Sequence, residues 1–296
     1  MRWFPLARKE CRTILTSKGS WALVVLIALW GYRPSYVGWD GLGPGLTIAF
    51  VQYVALAIPP LGILLLSFQS IVGERTTGSL KFVLGLPLTR TDVLTGKVVG
   101  RAAGIGGVVL LGIGVLTAVG LFRFGLFDVL TYVSVVLVTL LYVAVLVSVA
   151  VALSAVSTTA VRATGALIGG FFLPFVLFWS LLANSLYGQL TGQPVNPYNP
   201  PASGPLFLLH RLSPTGAYNV VSNWLLGVGN SAAPYSSVLT KRAPGSNINA
   251  LVVETAFDPG AVPFYLQEWV ALLVLVAWLL GPLGLARYAF ERGDLV

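Results

Sequence analysis

The feature that most constrains this chain is a series of long stretches without Asp, Glu, Lys or Arg. Seven such stretches cover residues 19–32, 41–73, 102–122, 129–161, 163–210, 212–240 and 269–286. A helix needs about 20 apolar residues to cross the roughly 30 Å hydrocarbon core of a bilayer. Only 9% of the residues are charged and 56% are hydrophobic, which excludes a water-soluble fold. We therefore expect an integral membrane protein.

All but one of these stretches contain a credible span. The predicted spans are 19–31, 46–72, 102–121, 129–156, 163–182 and 269–286. The stretch 212–240 mixes Ser and Asn with Pro and Gly, so we interpret it as a loop with a short helix near 218–226. Pro59 and Pro60 are expected to break or kink the second span, because neither has a backbone N–H to donate. The predicted fold class is an all-α integral membrane protein with six transmembrane helices.

The distribution of basic residues predicts the orientation of these spans. Residues 1–18, 73–101, 157–162 and 287–296 together hold 13 Lys and Arg in 63 residues. The remaining connections, 32–45, 122–128 and 183–268, hold 5 in 107 residues. Cytoplasmic segments carry the excess of basic residues, so both termini are predicted to be cytoplasmic and 183–268 extracytoplasmic.

Residues 1–16 predict an amphipathic helix that lies in the headgroup plane. At 100° per residue, an apolar arc of about 120° contains Trp3, Phe4, Ala7, Cys11, Ile14 and Leu15. The basic residues Arg2, Arg8, Lys9 and Arg12 lie outside that arc. This pattern is typical of an interfacial helix. A basic flank that only sets the topology is the alternative.

The sequence offers few groups for chemistry. One cysteine, Cys11, and one histidine, His210, exclude an intrachain disulfide and a His/Cys zinc site. The predicted spans hold no ionisable residue, which argues against a proton-coupled transporter and an intramembrane enzyme. His210 is expected to be a surface residue of the outer segment. Gly165 and Gly169 form a G-x-x-x-G pattern, and the third span contains Gly104, Gly107 and Gly114; we expect these glycines to serve packing within the chain rather than a dimer seam.

The loop 73–101 is the most informative segment. Leu80, Val83 and Leu84 share one helical face, and the spacing of Thr89 and Asp92 predicts a capping box at the start of the next helix. On that next helix a basic stripe is predicted, with its members within about 40° of one another. The stripe is expected to point at lipid phosphates or at an acidic partner, and it consists of Arg90, Lys97 and Arg101.

The order of motifs in this loop resembles the membrane-spanning subunits of type-2 ATP-binding-cassette exporters. Those subunits carry an E-R-x-x-G-S/T-L run, a Pro-apolar-S/T-R turn and a Gly-Lys pair before the third span. The matching residues here are Glu74, Arg75, Gly78, Ser79 and Leu80, then Pro87, Leu88, Thr89 and Arg90, then Gly96 and Lys97. Lys81 departs from the pattern, because this position is usually acidic in the family. The six spans, the N-terminal helix and the long segment before the last span extend the resemblance to the whole chain.

The resemblance implies a cytoplasmic coupling helix over 74–84, between spans two and three, that sits in a cleft of a nucleotide-binding subunit. The implied interface consists of Glu74, Arg75, Gly78, Ser79, Leu80, Lys81, Val83, Leu84, Pro87 and Arg90. Glu74 is expected to pair with a basic residue of that partner, and Gly78 to allow close backbone approach.

The resemblance further implies one permease domain over 1–296 in the plasma membrane of a prokaryote. The chain lacks G-x-x-x-x-G-K-S/T, so we expect no cofactor and no ATP hydrolysis here. ATP and Mg²⁺ are expected in a separate ATPase subunit that drives export by alternating access. The other expected partners are membrane lipids and a second permease copy, identical or related, and no nucleic acid. The alternative function is an ATP-linked membrane scaffold or maturation factor acting on an extracytoplasmic protein.

Overall fold

The computed structural model describes residues 2–32, 42–78, 88–196, 200–243, 245, 248, 250–258 and 260–292. Within these ranges the chain is all-helical and contains no strand. Four helices are long and apolar enough to cross a membrane, and the count reaches six if each of two bent helix pairs is one span. The all-α membrane fold is therefore confirmed.

The first bent pair forms the N-terminus. Helix α1 covers Phe4–Leu15 and α2 covers Lys18–Gly31, with a 62° bend between them. Ser17 causes the break, because its side chain accepts a hydrogen bond from Ser20 N (3.2 Å) and caps α2. The interfacial position of α1 stays a prediction. Its buried face holds a charged residue, Glu10, that the apolar arc did not include.

The second bent pair forms span two and confirms the predicted break. Helix α3 (Leu46–Gln52) continues through a 3₁₀ turn at Tyr53–Ala55, and α4 covers Ile58–Ser67 after a 50° bend. The two prolines lie in the first turn of α4, where a missing N–H costs no helical hydrogen bond. Ala57 at the break has φ +52°, a conformation unfavourable for a residue with a Cβ.

The loop between spans two and three and span three itself follow. Helix α5 is short (Val72–Thr76), whereas α6 covers the 35 residues of Arg90–Phe124. The predicted capping box is confirmed: Asp92 N donates to Thr89 Oγ1 (3.0 Å) and Thr89 N to the Asp92 carboxylate (3.0 Å). At 1.5 Å per residue α6 is about 52 Å long, which exceeds the hydrocarbon core.

Spans four and five differ in regularity. Helix α7 covers Val129–Val156, as predicted, and is capped by Asp128. Helix α8 (Ala160–Gly165) continues as wide π-helical turns over Ala166–Leu177, with Pro174 inside them. A break at Phe178 separates these turns from α9, Trp179–Thr191. Span five is thus interrupted where the sequence predicted a continuous helix over 163–182.

The short helix predicted near 218–226 is confirmed, but the segment 212–240 is more helical and more buried than the loop interpretation predicted. The segment after α9 contains α10 (Gly204–Arg211), α11 (Pro214–Leu226), α12 (Tyr235–Arg242) and the short α13 (Val253–Ala256). Residues 214–223 of α11 are all buried, and α11 packs between α7 and the last helix α14, Glu268–Arg292. Thr215, Ser222 and Asn223 are hydrogen-bonded inside the protein, which is why a polar sequence can form an interior helix.

Candidate functional site

Four charged side chains from three helices meet in one buried group, which we call the ion cluster: Glu10 of α1, Glu74 of α5, and Lys97 and Arg101 of α6. Lys97 Nζ lies 3.0 Å from Glu10 Oε1 and 2.9 Å from Glu74 Oε1. Arg101 Nε lies 2.8 Å from Glu10 Oε2, and Arg101 Nη1 donates to Leu66 O (2.7 Å) at the end of α4. The Lys97 side chain is fully buried and that of Glu10 is 5% exposed. Two carboxylates balance two cations, so the burial leaves no net charge uncompensated.

A close helix contact brings Glu10 to its partners. Gly96, Gly100 and Gly104 recur every four residues along the side of α6 that faces α1. A Cβ on Gly100 would run into the carbonyl oxygen of Ala7 and lie 2.8 Å from the Cβ of Glu10. Glycine at this position therefore lets α1 approach closely enough for Glu10 to reach between the two cations of α6.

The segment that carries Glu74 is hydrogen-bonded to the end of α7. Ser154 Oγ accepts hydrogen bonds from the backbone N–H groups of Ile71 (3.0 Å) and Val72 (2.9 Å). Arg75 Nη1 donates to Ser157 O at 2.6 Å. Together with the ion cluster, these bonds make α5 a junction between the N-terminal helix, span three and span four.

Two parts of the sequence interpretation are wrong here. Lys97 and Arg101 do not point at lipid phosphates or at another subunit, because both bind Glu10 inside the chain. Arg90, the third member of the predicted stripe, is half-buried at the first residue of α6. Glu74 does not face outward for a partner either, because its carboxylate pairs with Lys97.

Only the first part of the predicted coupling helix, 74–84, lies among the described residues. Helix α5 ends at Thr76, and Gly78 has φ +74°, a left-handed conformation that glycine tolerates best. A Cβ on Gly78 would meet no described atom within 4 Å, so the backbone conformation and not a close approach within the chain accounts for this glycine. Six residues of the predicted interface lie outside the described residues: Ser79, Leu80, Lys81, Val83, Leu84 and Pro87. As an ATPase-coupling surface, the loop stays a prediction.

Sequence reasoning missed Glu10 as a functional candidate. The available signal was its position as the one acidic residue between Lys9 and Arg12 in a basic helix. A helical wheel assigns a residue to a face but does not say which other helix covers that face. The partners of Glu10 lie 87 and 91 positions along the chain.

The single histidine is not an ordinary surface residue. His210 is half-buried in α10, and its Nε2 lies 2.8 Å from Asn184 Oδ1. Burial and the neighbouring Arg211 guanidinium lower the pKa of His210 to about 4. No group of three or more potential metal ligands occurs in the part of the chain that the structure describes.

The G-x-x-x-G pattern does not serve packing within the described chain. Cβ atoms on Gly165 and Gly169 would each meet no described atom within 4 Å, and both glycines are exposed. The predicted intrachain role of this pattern is therefore wrong. Gly104 of α6 confirms the expectation for the third span, because its Cβ would lie 2.9 Å from the Cβ of Ile14 in α1.

These features define a class of protein: a multi-pass, all-helical membrane protein in which a short loop helix and the N-terminal helix are both ion-paired to the third span. The family model described as "ABC-2 family transporter protein" matches residues 4–295, and the chain belongs to this family. It is thus the membrane-spanning permease component of an ABC transporter.

A curated relative carries a matching description. Over 115 residues the chain is 33% identical to "Probable ABC transporter permease protein NosY" of Stutzerimonas stutzeri. The match covers 37% of this chain and 42% of the relative, so the chain spans about two fifths of the length of that protein.

Proposed function

We propose that this chain is the permease subunit of an ATP-driven exporter that moves its substrate by alternating access. ATP and Mg²⁺ bind in a separate ATPase subunit. Family membership and the permease name of the relative support the pairing with an ATPase. The chain itself has no G-x-x-x-x-G-K-S/T loop to cradle phosphates.

The ion cluster is the observation that carries this proposal. Glu74 lies in the loop 73–101 that the family resemblance assigns to the ATPase contact, and it bonds to Lys97 inside the membrane subunit. A displacement of this loop therefore acts on α1 through Glu10 and on α6 through Lys97 and Arg101. In this way, movement of the short loop displaces both α1 and α6.

The residues of the loop beyond Gly78 supply the contact with the ATPase in this proposal. A charge reversal at Lys81 tests the contact, and the same reversal at Lys241 of the outer segment is the matched control. With an ATPase co-expressed from the same operon, we expect Lys81→Glu to reduce recovery of the complex and Lys241→Glu to leave it unchanged. Equal recovery of the complex with both variants would show that the loop is not part of the interface with the ATPase.

Energy coupling is measured in the reconstituted complex. We expect ATP turnover only when both subunits are present and no turnover by the purified permease alone. Turnover by the isolated chain at the rate of the complex would contradict the two-polypeptide arrangement.

The orientation is proposed with both termini cytoplasmic, in the plasma membrane of a prokaryote. Cys11 is the only cysteine, so Cys11→Ser gives a clean background for labelling. Thr13 of α1 and Gln189 of α9 are both exposed and lie on opposite sides in this arrangement. In right-side-out vesicles an impermeant maleimide should label Gln189→Cys and spare Thr13→Cys; the reverse pattern inverts the topology.

A second permease copy completes the transporter in this proposal. The exposed glycine face of span five supports it, because Gly165 and Gly169 have open space where a neighbouring helix could approach closely. Membrane lipids surround the remaining apolar surface.

A further inference from the structure

A cavity of about 270 Å³ lies where two membrane helices are interrupted. Span two breaks immediately after Leu56, and the π-helical turns of span five end at Leu177, before the break at Phe178. Leu56 and Leu177 both line the cavity. The residue that follows Leu56, Ala57, has a positive φ, and strained backbone of this kind is concentrated at binding and catalytic sites.

The lining of the cavity also holds a buried hydrogen-bond acceptor that receives no donor. Asn219 of α11 lines the cavity and is 2% exposed. Its Nδ2 donates to Ala232 O (2.9 Å), which fixes which side of the amide carries the oxygen. Asn219 Oδ1 is buried and receives no hydrogen bond from the described residues. A buried carbonyl oxygen left in this state costs about 1–3 kcal/mol, so native proteins rarely keep one without a reason.

A neighbouring amide shows the ordinary arrangement. Asn223 lies one turn further along α11 and does not line the cavity. Its Nδ2 donates to Ser231 O (2.9 Å) and Ala233 O (2.8 Å), and its Oδ1 accepts from Gln52 Nε2 (2.8 Å). The fold therefore satisfies Asn223 within the chain and leaves the Asn219 acceptor for something else.

Among the described residues that line the cavity there is no Asp, Glu, Lys or Arg. His210 belongs to the wall, and it is neutral at pH 7 because burial and Arg211 lower its pKa to about 4. An ion in this space would lose its hydration without gaining an opposite charge from the wall. Leu56, Val176 and Leu177 contribute apolar surface to the lining.

We propose that this cavity binds a small uncharged solute that donates an N–H or O–H to Asn219 Oδ1 and packs an apolar flank against Leu56 and Leu177. The inference that the transported substrate binds in this cavity rests on the proposed function. It gives that substrate a chemical class: neutral, with a hydrogen-bond donor at one end and hydrocarbon at the other.

Three probes of similar size separate the contributions of charge and of hydrogen bonding. Butyramide has an N–H donor, no charge and a short apolar tail, whereas butyrate and butylammonium replace the amide by an anion or a cation. The reporter is Ser237→Cys in a Cys11→Ser background, because Ser237 lines the cavity and is partly exposed. Ser180→Cys on the span-five wall is a second reporter if the first variant does not fold. The rate of alkylation by N-ethylmaleimide is measured in the purified full chain.

We expect butyramide to slow alkylation in a saturable manner and the two ions not to. Asn219→Ala should weaken the butyramide effect about tenfold, as expected for one lost hydrogen bond to a buried acceptor. Asn223→Ala is the control, and its half-maximal butyramide concentration should match the parent. Protection by all three probes alike, protection by none, or retention of the effect in Asn219→Ala would each overturn the site.

This assay needs neither an ATPase nor transport. A transporter that couples ATP turnover normally but shows no butyramide protection would refute the site alone. Protection in a chain that never assembles with an ATPase would leave the site standing and refute the exporter.

Discussion

The buried ammonium of Lys97 should be among the most costly groups to remove from this protein. Lys97→Met keeps an unbranched side chain one atom shorter than that of lysine and deletes its charge. Glu10 retains Arg101 at 2.8 Å, but Glu74 loses the cation at 2.9 Å, and the ion cluster acquires a net charge of −1. Removing one partner from a buried ion pair costs about 3–5 kcal/mol, and the Glu74 side chain is only 19% exposed. We expect Lys97→Met to lower the free energy of unfolding by that amount.

The second substitution restores neutrality. Glu74→Gln alone should cost about 1–3 kcal/mol, because Lys97 keeps Glu10 and the new amide oxygen can still accept. In the double variant both unmatched charges are gone, and Glu10 still pairs with Arg101. The double loss should therefore be smaller than the sum of the single losses by about 1–3 kcal/mol.

Unfolding in mixed detergent–SDS micelles, followed by tryptophan fluorescence, measures these differences. The control is the exposed pair of Arg242 and Glu254, whose closest atoms are 3.8 Å apart and whose side chains are 41% and 46% exposed. Arg242→Met should cost less than about 1 kcal/mol. A Lys97→Met variant as stable as Arg242→Met, or losses that add within about 0.5 kcal/mol, would refute the reasoning.

Three further expectations concern other parts of the chain. Gly100→Ala should lower stability by about 1–3 kcal/mol, because its Cβ meets the backbone of Ala7, whereas Gly114→Ala on the same helix meets nothing and should be neutral in the same unfolding assay. The pKa of His210 is lowered to about 4 in the folded protein. The free energy of unfolding should therefore fall by at most about 3 kcal/mol as the pH is lowered from about 6.5 towards 4, because the unfolded chain binds the imidazole proton more readily. His210→Gln should remove this pH-dependent component from a stability–pH profile. Gly165→Trp should reduce the two-permease complex to one copy in light scattering at unchanged melting temperature, and an unchanged mass would remove span five from the contact between copies.

The sequence predicted what depends on neighbours along the chain. The span Val129–Val156 is bounded by charges, and its first residue follows a capping aspartate. The capping box at Thr89 is a three-residue pattern, and the break in span two follows from the chemistry of Pro59 and Pro60. Each signal is local, so no knowledge of tertiary contacts was needed.

The errors arose where distant contacts decide the outcome. The helix near 218–226 was predicted, but its polar residues led us to place it within a loop, yet Ser222 and Asn223 accept hydrogen bonds inside the protein from Gln52, about 170 positions earlier. The predicted basic stripe correctly placed Lys97 and Arg101 on one face of a helix. It could not reveal that a lone glutamate of another helix covers that face.

The same non-local contacts link stability to mechanism in this protein. Gly100 permits the approach of α1, that approach brings Glu10 to Lys97 and Arg101, and Lys97 then holds Glu74 of the loop segment. Within this chain of contacts Glu74 is the most exposed member, so its bond to Lys97 is the one that a protein contact at the loop can reach. The two bonds of Glu10 lie deeper and have carboxylate and cation within 3.0 Å. In the mechanism that we propose, a push on the loop acts on the outer bond first, while α1 and α6 stay joined and respond as one body.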